Sequence, residues 1–185
     1  MIGKLPKALD VNGSSYAIDP DYRNILRIFE AFNDPQLSDR EKAFICVNRL
    51  YKEPIADADI EEAINKAYWF CDGGDTPKSK PEQVRTLDWV HDEHMIIPAV
   101  SKVVGVIDIR ELEYMHWWTF LGAFGEIGEG LFSTVMHIRH KQAQGKKLDK
   151  WEKEFYSKNK ELVKLVTPEE QAAIDETEEF LKTLI

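Results

Sequence analysis

Two adjacent tryptophans inside one apolar stretch constrain this chain more than any other feature. Residues 109–132, IRELEYMHWWTFLGAFGEIGEGLF, carry Trp117 and Trp118, followed by Phe120, Leu121 and Phe124. Met115, Trp118 and Leu121 recur every third position, and Trp117, Leu121 and Phe124 by four and three. That is the period of a helix with a wide apolar face. Neighbouring positions on a helix point about 100° apart, so Trp117 and Trp118 are expected to face different neighbours. A helix that is aromatic on more than one side packs between others. Asp108 is the expected N-cap, with Arg110, Glu111 and Glu113 in the opening turns. The stretch predicts the centre of a mainly α domain.

The rest of the chain supplies elements to surround it. Leu5 to Ile18 reads as a β-hairpin turning at Asn12-Gly13, the pair favoured in a type I′ turn. A lone hairpin is marginal in water, so it must lie on the helices or pair with another chain's edge. Asp19-Pro20 is expected to open the first helix, whose apolar face is Tyr22, Ile25, Leu26, Phe29 and Phe32. Ser38-Asp39-Arg40-Glu41 is a capping box for a second helix with Phe44, Val47 and Leu50 inward. Asp59-Ile60-Glu61-Glu62 starts a third, which Gly73-Gly74 closes. Residues 73–85, GGDTPKSKPEQVR, read as a mobile surface loop. A fourth helix is expected from about Leu87 to Val104, with Pro98 kinking or breaking it near Ile97. A sixth should start near Glu129.

From Lys141 to Lys160 seven lysines face three acids, and Thr167 to Ile185 holds six acids and one lysine. A basic segment followed by an acidic one suits a C-terminal helical hairpin or docking to other chains. The expected organisation is therefore one helical core, residues 1–142, with a C-terminal helical extension, 143–185.

Composition narrows the function. With 43% hydrophobic and 11% aromatic residues the 185-residue chain can bury a sizeable core. Its net charge of −9 argues against general phosphate-backbone binding, so no nucleic-acid partner is expected. No apolar run is long enough to span a membrane, and the opening Met-Ile-Gly-Lys-Leu-Pro is too short and polar for a signal peptide. Cytoplasmic residence with Cys46 and Cys71 reduced is the expectation. Cys46 reads as buried filler and Cys71 as more exposed.

No Gly-rich phosphate loop, Gly-x-Ser-x-Gly or Cys-x-x-Cys is present. The one ligand-like pattern is two histidine pairs, His91/His94 and His137/His140, each at i,i+3 on an expected helix. That spacing puts both imidazoles of a pair on one face, as a helical metal site requires. Arg139 and Lys141 would disfavour a cation at the second pair. His116, beside the tryptophans, is expected to hydrogen-bond a backbone carbonyl or Glu113.

A set of landmarks runs through the chain in order. It comprises Leu5-Pro6 before the Asn12-Gly13 hairpin, Asp21-Tyr22-Arg23-Asn24-Ile25-Leu26-Arg27-Ile28-Phe29-Glu30, Ala63-Ile64-Asn65-Lys66-Ala67-Tyr68-Trp69-Phe70, His116-Trp117-Trp118-Thr119-Phe120-Leu121, and Met136-His137-Ile138-Arg139. Together they cover about residues 5–142 and resemble the bacteriophage Gp-fifteen family. The resemblance implies a protein of tailed phages and prophages, acting in the host bacterial cytoplasm. Its implied role is that of a tail assembly chaperone, which forms a homo-oligomer along the phage tape-measure protein. It implies no enzymatic residues and no cofactor. A chain that shields the apolar stripes of a long helical partner needs exposed apolar side chains. The candidate contacts are Tyr68, Trp69, Trp117, Trp118 and Phe120, most of them expected in the core. The alternatives are a structural tail or connector component retained in the virion, and a metal-binding domain using the paired histidines.

Overall fold

The computed structural model describes residues 3–75 and 85–165. Much of the loop expected at 73–85 and all of the acidic helix expected at Thr167–Ile185 lie outside them. Two strands and eight α-helices make a mainly α fold among the described residues.

The hairpin forms as its turn chemistry dictates. Strands β1 (Ala8–Val11) and β2 (Ser14–Ala17) pair antiparallel, with Leu9 opposite Tyr16 and Val11 opposite Ser14. Asn12 and Gly13 have φ of 50° and 85°, the left-handed values that a type I′ turn needs. Leu9, Val11 and Ile18 are buried, so the hairpin lies on the helices.

The chain then runs extended through residues 18–21 before the first helix starts. This short segment is hydrogen-bonded on both sides. Asp19 N donates to Leu50 O at 2.7 Å and Lys52 N to Ala17 O at 3.0 Å. Further along, Tyr22 N donates to Met115 O at 2.9 Å and Trp117 N to Pro20 O at 2.7 Å. It stitches the first third of the chain to the stretch before the tryptophans. The pairing also moves two helix starts away from their expected positions. Helix α1 (Tyr22–Asn33) begins after Asp21, whose side chain accepts from Arg23 N, and not at Asp19-Pro20. Asp108 caps only a single 3-10 turn, Ile109–Glu111. Residues 112–116 form no helix, passing through a bend to the bridge at His116, and helix α5 (Trp117–Gly125) begins eight residues later than the pattern suggested.

Helix α2 (Asp39–Leu50) opens on the Ser38–Glu41 capping box. Its buried stripe is Cys46, Val47 and Leu50, which turns Phe44 outward, 66% exposed. Helix α3 (Ile60–Cys71) follows a 3-10 turn and ends at Gly73 and Gly74, with φ of 78° and 88°. Helix α4 (Glu93–Val104) starts later than Leu87. The Asp88 side chain accepts from Val90 N and His91 N, and this turn replaces the expected first helical residues. Pro98 sits inside α4 without breaking it. Helices α6 (Leu131–Ala143), α7 (Lys150–Lys158) and α8 (Lys160–Val163) complete the described chain.

Helix α5 is the centre of the core. Trp117 and Phe120 are fully buried, and Phe120 stacks on Tyr22 of α1 with ring centroids 5.0 Å apart. Trp89 packs on Phe124 at 5.0 Å and edge-on to Trp117 at 5.9 Å. Burial of such rings, each of roughly 150–250 Å², dominates the driving force for a core of this size.

Candidate partner-binding surface

The residues singled out by sequence separate into those that hold the fold and those left facing solvent. Trp117 Nε1 donates to Cys71 O at 2.8 Å, and Trp118 Nε1 to Phe70 O at 2.9 Å. The two indole nitrogens thus meet at the C-terminal turn of α3, where Phe70 O also accepts from Gly73 N at 3.1 Å. The rings themselves face different neighbours, as expected: Trp117 packs on Phe29 and Trp89, and Trp118 on Trp69 and Phe70. Trp117 and Phe120 are at zero exposure and offer no contact to another protein. Trp118 and Trp69 are half-buried and pack edge to face at 5.5 Å. Of the five candidate contacts only Tyr68 is classed as exposed, at 37%.

His116 is buried and caps α5. Its Nδ1 accepts from Trp118 N at 3.0 Å, and its Nε2 lies 2.9 Å from Pro6 O. The carbonyl acceptor is that of Pro6, and Glu113 plays no part. Burial pushes the imidazole below its usual range, and the charge of Lys7 adds to the shift. The neutral ring with Nε2–H is the form that satisfies both contacts.

The histidine pairs do not converge on a metal site. His91 Nδ1 lies 2.8 Å from Asp92 Oδ1 and its Nε2 3.1 Å from Glu161 O, so both ring nitrogens are engaged. Its ring meets that of His94 at 6.4 Å between centroids. His137 faces buried Glu152, which Lys141 also contacts, and His140 Nδ1 lies 2.8 Å from Met136 O. Among the described residues no three His, Cys, Asp or Glu side chains form a metal-holding group. Both cysteines are buried and unbridged, including Cys71, which the sequence placed nearer solvent. A hydrogen bond with Cys46, together with burial, holds the Cys71 thiol well above the ordinary range, which disfavours the thiolate.

Arg139 is the second hub. Its guanidinium lies 2.6 and 2.8 Å from the two oxygens of Asp92, a pair with almost no exposure. It also donates to Thr86 O, Leu162 O and Val163 O. All five guanidinium donors are therefore used. Burial alone would raise the Asp92 pKa; the bonds from Arg139 and His91 outweigh it and hold the carboxyl below its usual value.

The chain matches the family model described as Bacteriophage Gp15 protein over residues 1–165. It belongs to the bacteriophage Gp15 family. No curated protein and no solved structure matched the chain. Membership makes this a phage protein and suggests one of the structural or morphogenetic kind. No helix among the described residues is long and apolar enough to cross a membrane.

For a Gp15-family chain the landmark residues turn out to be the ties of the fold. Asp21 caps α1, Arg23 donates to Leu112 O and Glu113 O, and His116, Trp117, Trp118 and Arg139 make the contacts above. The open surface lies elsewhere. One groove of about 450 Å³ runs between α1, α2 and α3, with Phe29, Phe32 and Tyr68 as its apolar wall and Asp39 and Lys42 at its edge. Another, of about 440 Å³, lies between α4 and residues 126–132. Ile107, just past α4, is 96% exposed, and Trp151 on α7 is 59% exposed. Sequence reasoning passed over both. The usable signals were Val-Val-Gly-Val-Ile running past the end of a helix, and a tryptophan set among lysines.

Proposed function

We propose that this protein is a non-enzymatic tail assembly chaperone that binds the phage tape-measure protein in the host bacterial cytoplasm, working as a homo-oligomer. Family membership carries the reading. The α1–α2–α3 groove supports it, since an open aromatic wall suits the apolar stripe of a helical partner. Tyr68 forms the accessible part of that wall and packs edge-on to Phe32 at 5.6 Å. Asp39 and Lys42 beside it can meet charges flanking such a stripe.

The test is coexpression with tape-measure fragments, followed by size-exclusion chromatography with light scattering. The expected result is a soluble complex that the chain rescues from aggregation. Tyr68→Ala should weaken it about ten-fold or more, as loss of an aromatic anchor does. No complex with any fragment would overturn the reading. So would finding the chain in stoichiometric amount in purified virions, which marks a structural tail or connector component instead.

A further inference from the structure

Trp151 is the second residue of α7, and its indole is left largely in water. Its neighbour Glu152 is buried and pairs with His137 and Lys141 of α6. The helix is thus anchored through Glu152 and turns Trp151 outward, supported by Phe155 with ring centroids 5.6 Å apart. Lys146, Lys147, Lys150 and Lys153 around it are exposed and form no ion pair among the described residues, while Glu154 is taken by Lys158. This is an aromatic knob in a positive field.

The groove between α4 and residues 126–132 is its counterpart. Pro98, Ala99, Ile127 and Phe132 make it apolar, and Val103 and Leu131 are exposed at its edges. Glu126 and Glu129 stand on the loop side, exposed and without an ion pair among the described residues, whereas Lys102 stands on the α4 side. The backbone at Gly128 and Gly130 has open space where a Cβ would stand, so a neighbour can approach it closely. No residue of α7 lines this groove. A chain therefore does not fill its own groove with its own tryptophan.

We propose that Trp151 of one copy seats in the α4/126–132 groove of a second copy, with Lys147 and Lys150 of the first facing Glu126 and Glu129 of the second. Opposite charge selects the glutamate wall, and Lys102 on the far side repels the reverse orientation. Knob and groove are different patches, so the contact is heterologous. It lines copies head to tail unless the rotation closes a ring. The proposal rests on the homo-oligomer of that reading and needs no tape-measure protein, so failure of the self-contact and failure of tape-measure binding are distinguishable.

The experiment is light scattering on the full chain alone, across concentration and at low and high salt. Mass should rise with concentration and fall with salt, because exposed charge pairs are screened. Trp151→Ala, and separately Glu126→Lys with Glu129→Lys, should each weaken assembly at least ten-fold while circular dichroism stays unchanged. Mixing the glutamate-reversed chain with a Lys147→Glu/Lys150→Glu chain should restore it. A monomer at every concentration overturns the proposal, as does assembly indifferent to Trp151→Ala, or two charge-reversed chains that do not recover. Assembly lost on deleting residues 167–185 but unmoved by Trp151→Ala gives the lysines to the acidic tail, and also overturns it.

Discussion

A methyl group on Gly74 would meet the Trp118 ring at 2.8 Å, and the residue already holds φ at +88°. Both facts follow from one requirement. The chain leaving α3 must turn sharply while the Trp118 indole reaches past it to Phe70 O. Gly74→Ala therefore combines left-handed strain, about 1–3 kcal/mol, with displacement of a ring that tethers two helices. Urea denaturation should show an unfolding free energy lower by at least that amount, and a Gly13→Ala control, with open space at its Cβ, should show only the backbone part. The sequence marked Gly73-Gly74 as a helix end from local chemistry alone. Why the second glycine meets Trp118, 44 positions on, is a packing fact that no local pattern carries. Phe44 is the opposite case. It looked inward by spacing, yet the buried stripe runs through Cys46, Val47 and Leu50, displaced round the helix axis from Phe44, and leaves it in solvent.

Helix α5 owes its start to a side chain that is rarely a cap. His116 satisfies Trp118 N with a neutral Nδ1 and reaches Pro6 with the other nitrogen. Its pKa is lowered on folding from 6.5, so the unfolded chain binds the proton more readily. The stabilisation is then fully present above about pH 6.5, declines as pH falls from there to the folded value, and is constant below it. His116→Ala should cost about 1 kcal/mol for the lost cap and flatten the stability curve across that window. Denaturation at a series of pH values from 5 to 8 measures both. Helices were legible where the signal is local, as with the Ser38–Glu41 box and the Asn12-Gly13 turn. Starts were misplaced where non-helical backbone is held by distant partners. Residues 18–21 and 112–116 carry helical-looking neighbours, but each is claimed by hydrogen bonds across the molecule.

Across the whole molecule, two ties connect parts of the chain that sequence order keeps apart. The extended seam joins residues 18–21 to 50–52 and 115–117. The Asp92–Arg139 pair joins the turn before α4 to α6 and α8. Removing one partner of a buried pair strands the other charge, so Arg139→Met should cost about 3–5 kcal/mol. Arg139→Met with Asp92→Leu should recover part of it, as equilibrium denaturation at pH 7 would show. Asp92 sits below its ordinary 3.8, so its contribution is present above about pH 4 and is lost as pH falls through the folded value. Sequence reading placed Arg139 among the family-like landmarks but treated it as a cation spoiling a histidine pair. Its partners lie 47 and 24 positions away, and nothing near it in sequence announces them. The family was legible because its landmarks are the ties themselves. The open surface was not: the candidate contacts were drawn from the aromatic core stretch, and Trp117 and Phe120 are core, while Ile107 and Trp151 were passed over.

The reach of Arg139 also orders events in time. Two of its bonds end on the carbonyls of Leu162 and Val163, 23 and 24 residues downstream. On the ribosome, Asp92 and Arg139 emerge well before the backbone that completes their enclosure. A product stopped before residue 162 holds a charged pair with one side open to water, where the finished chain has sealed it.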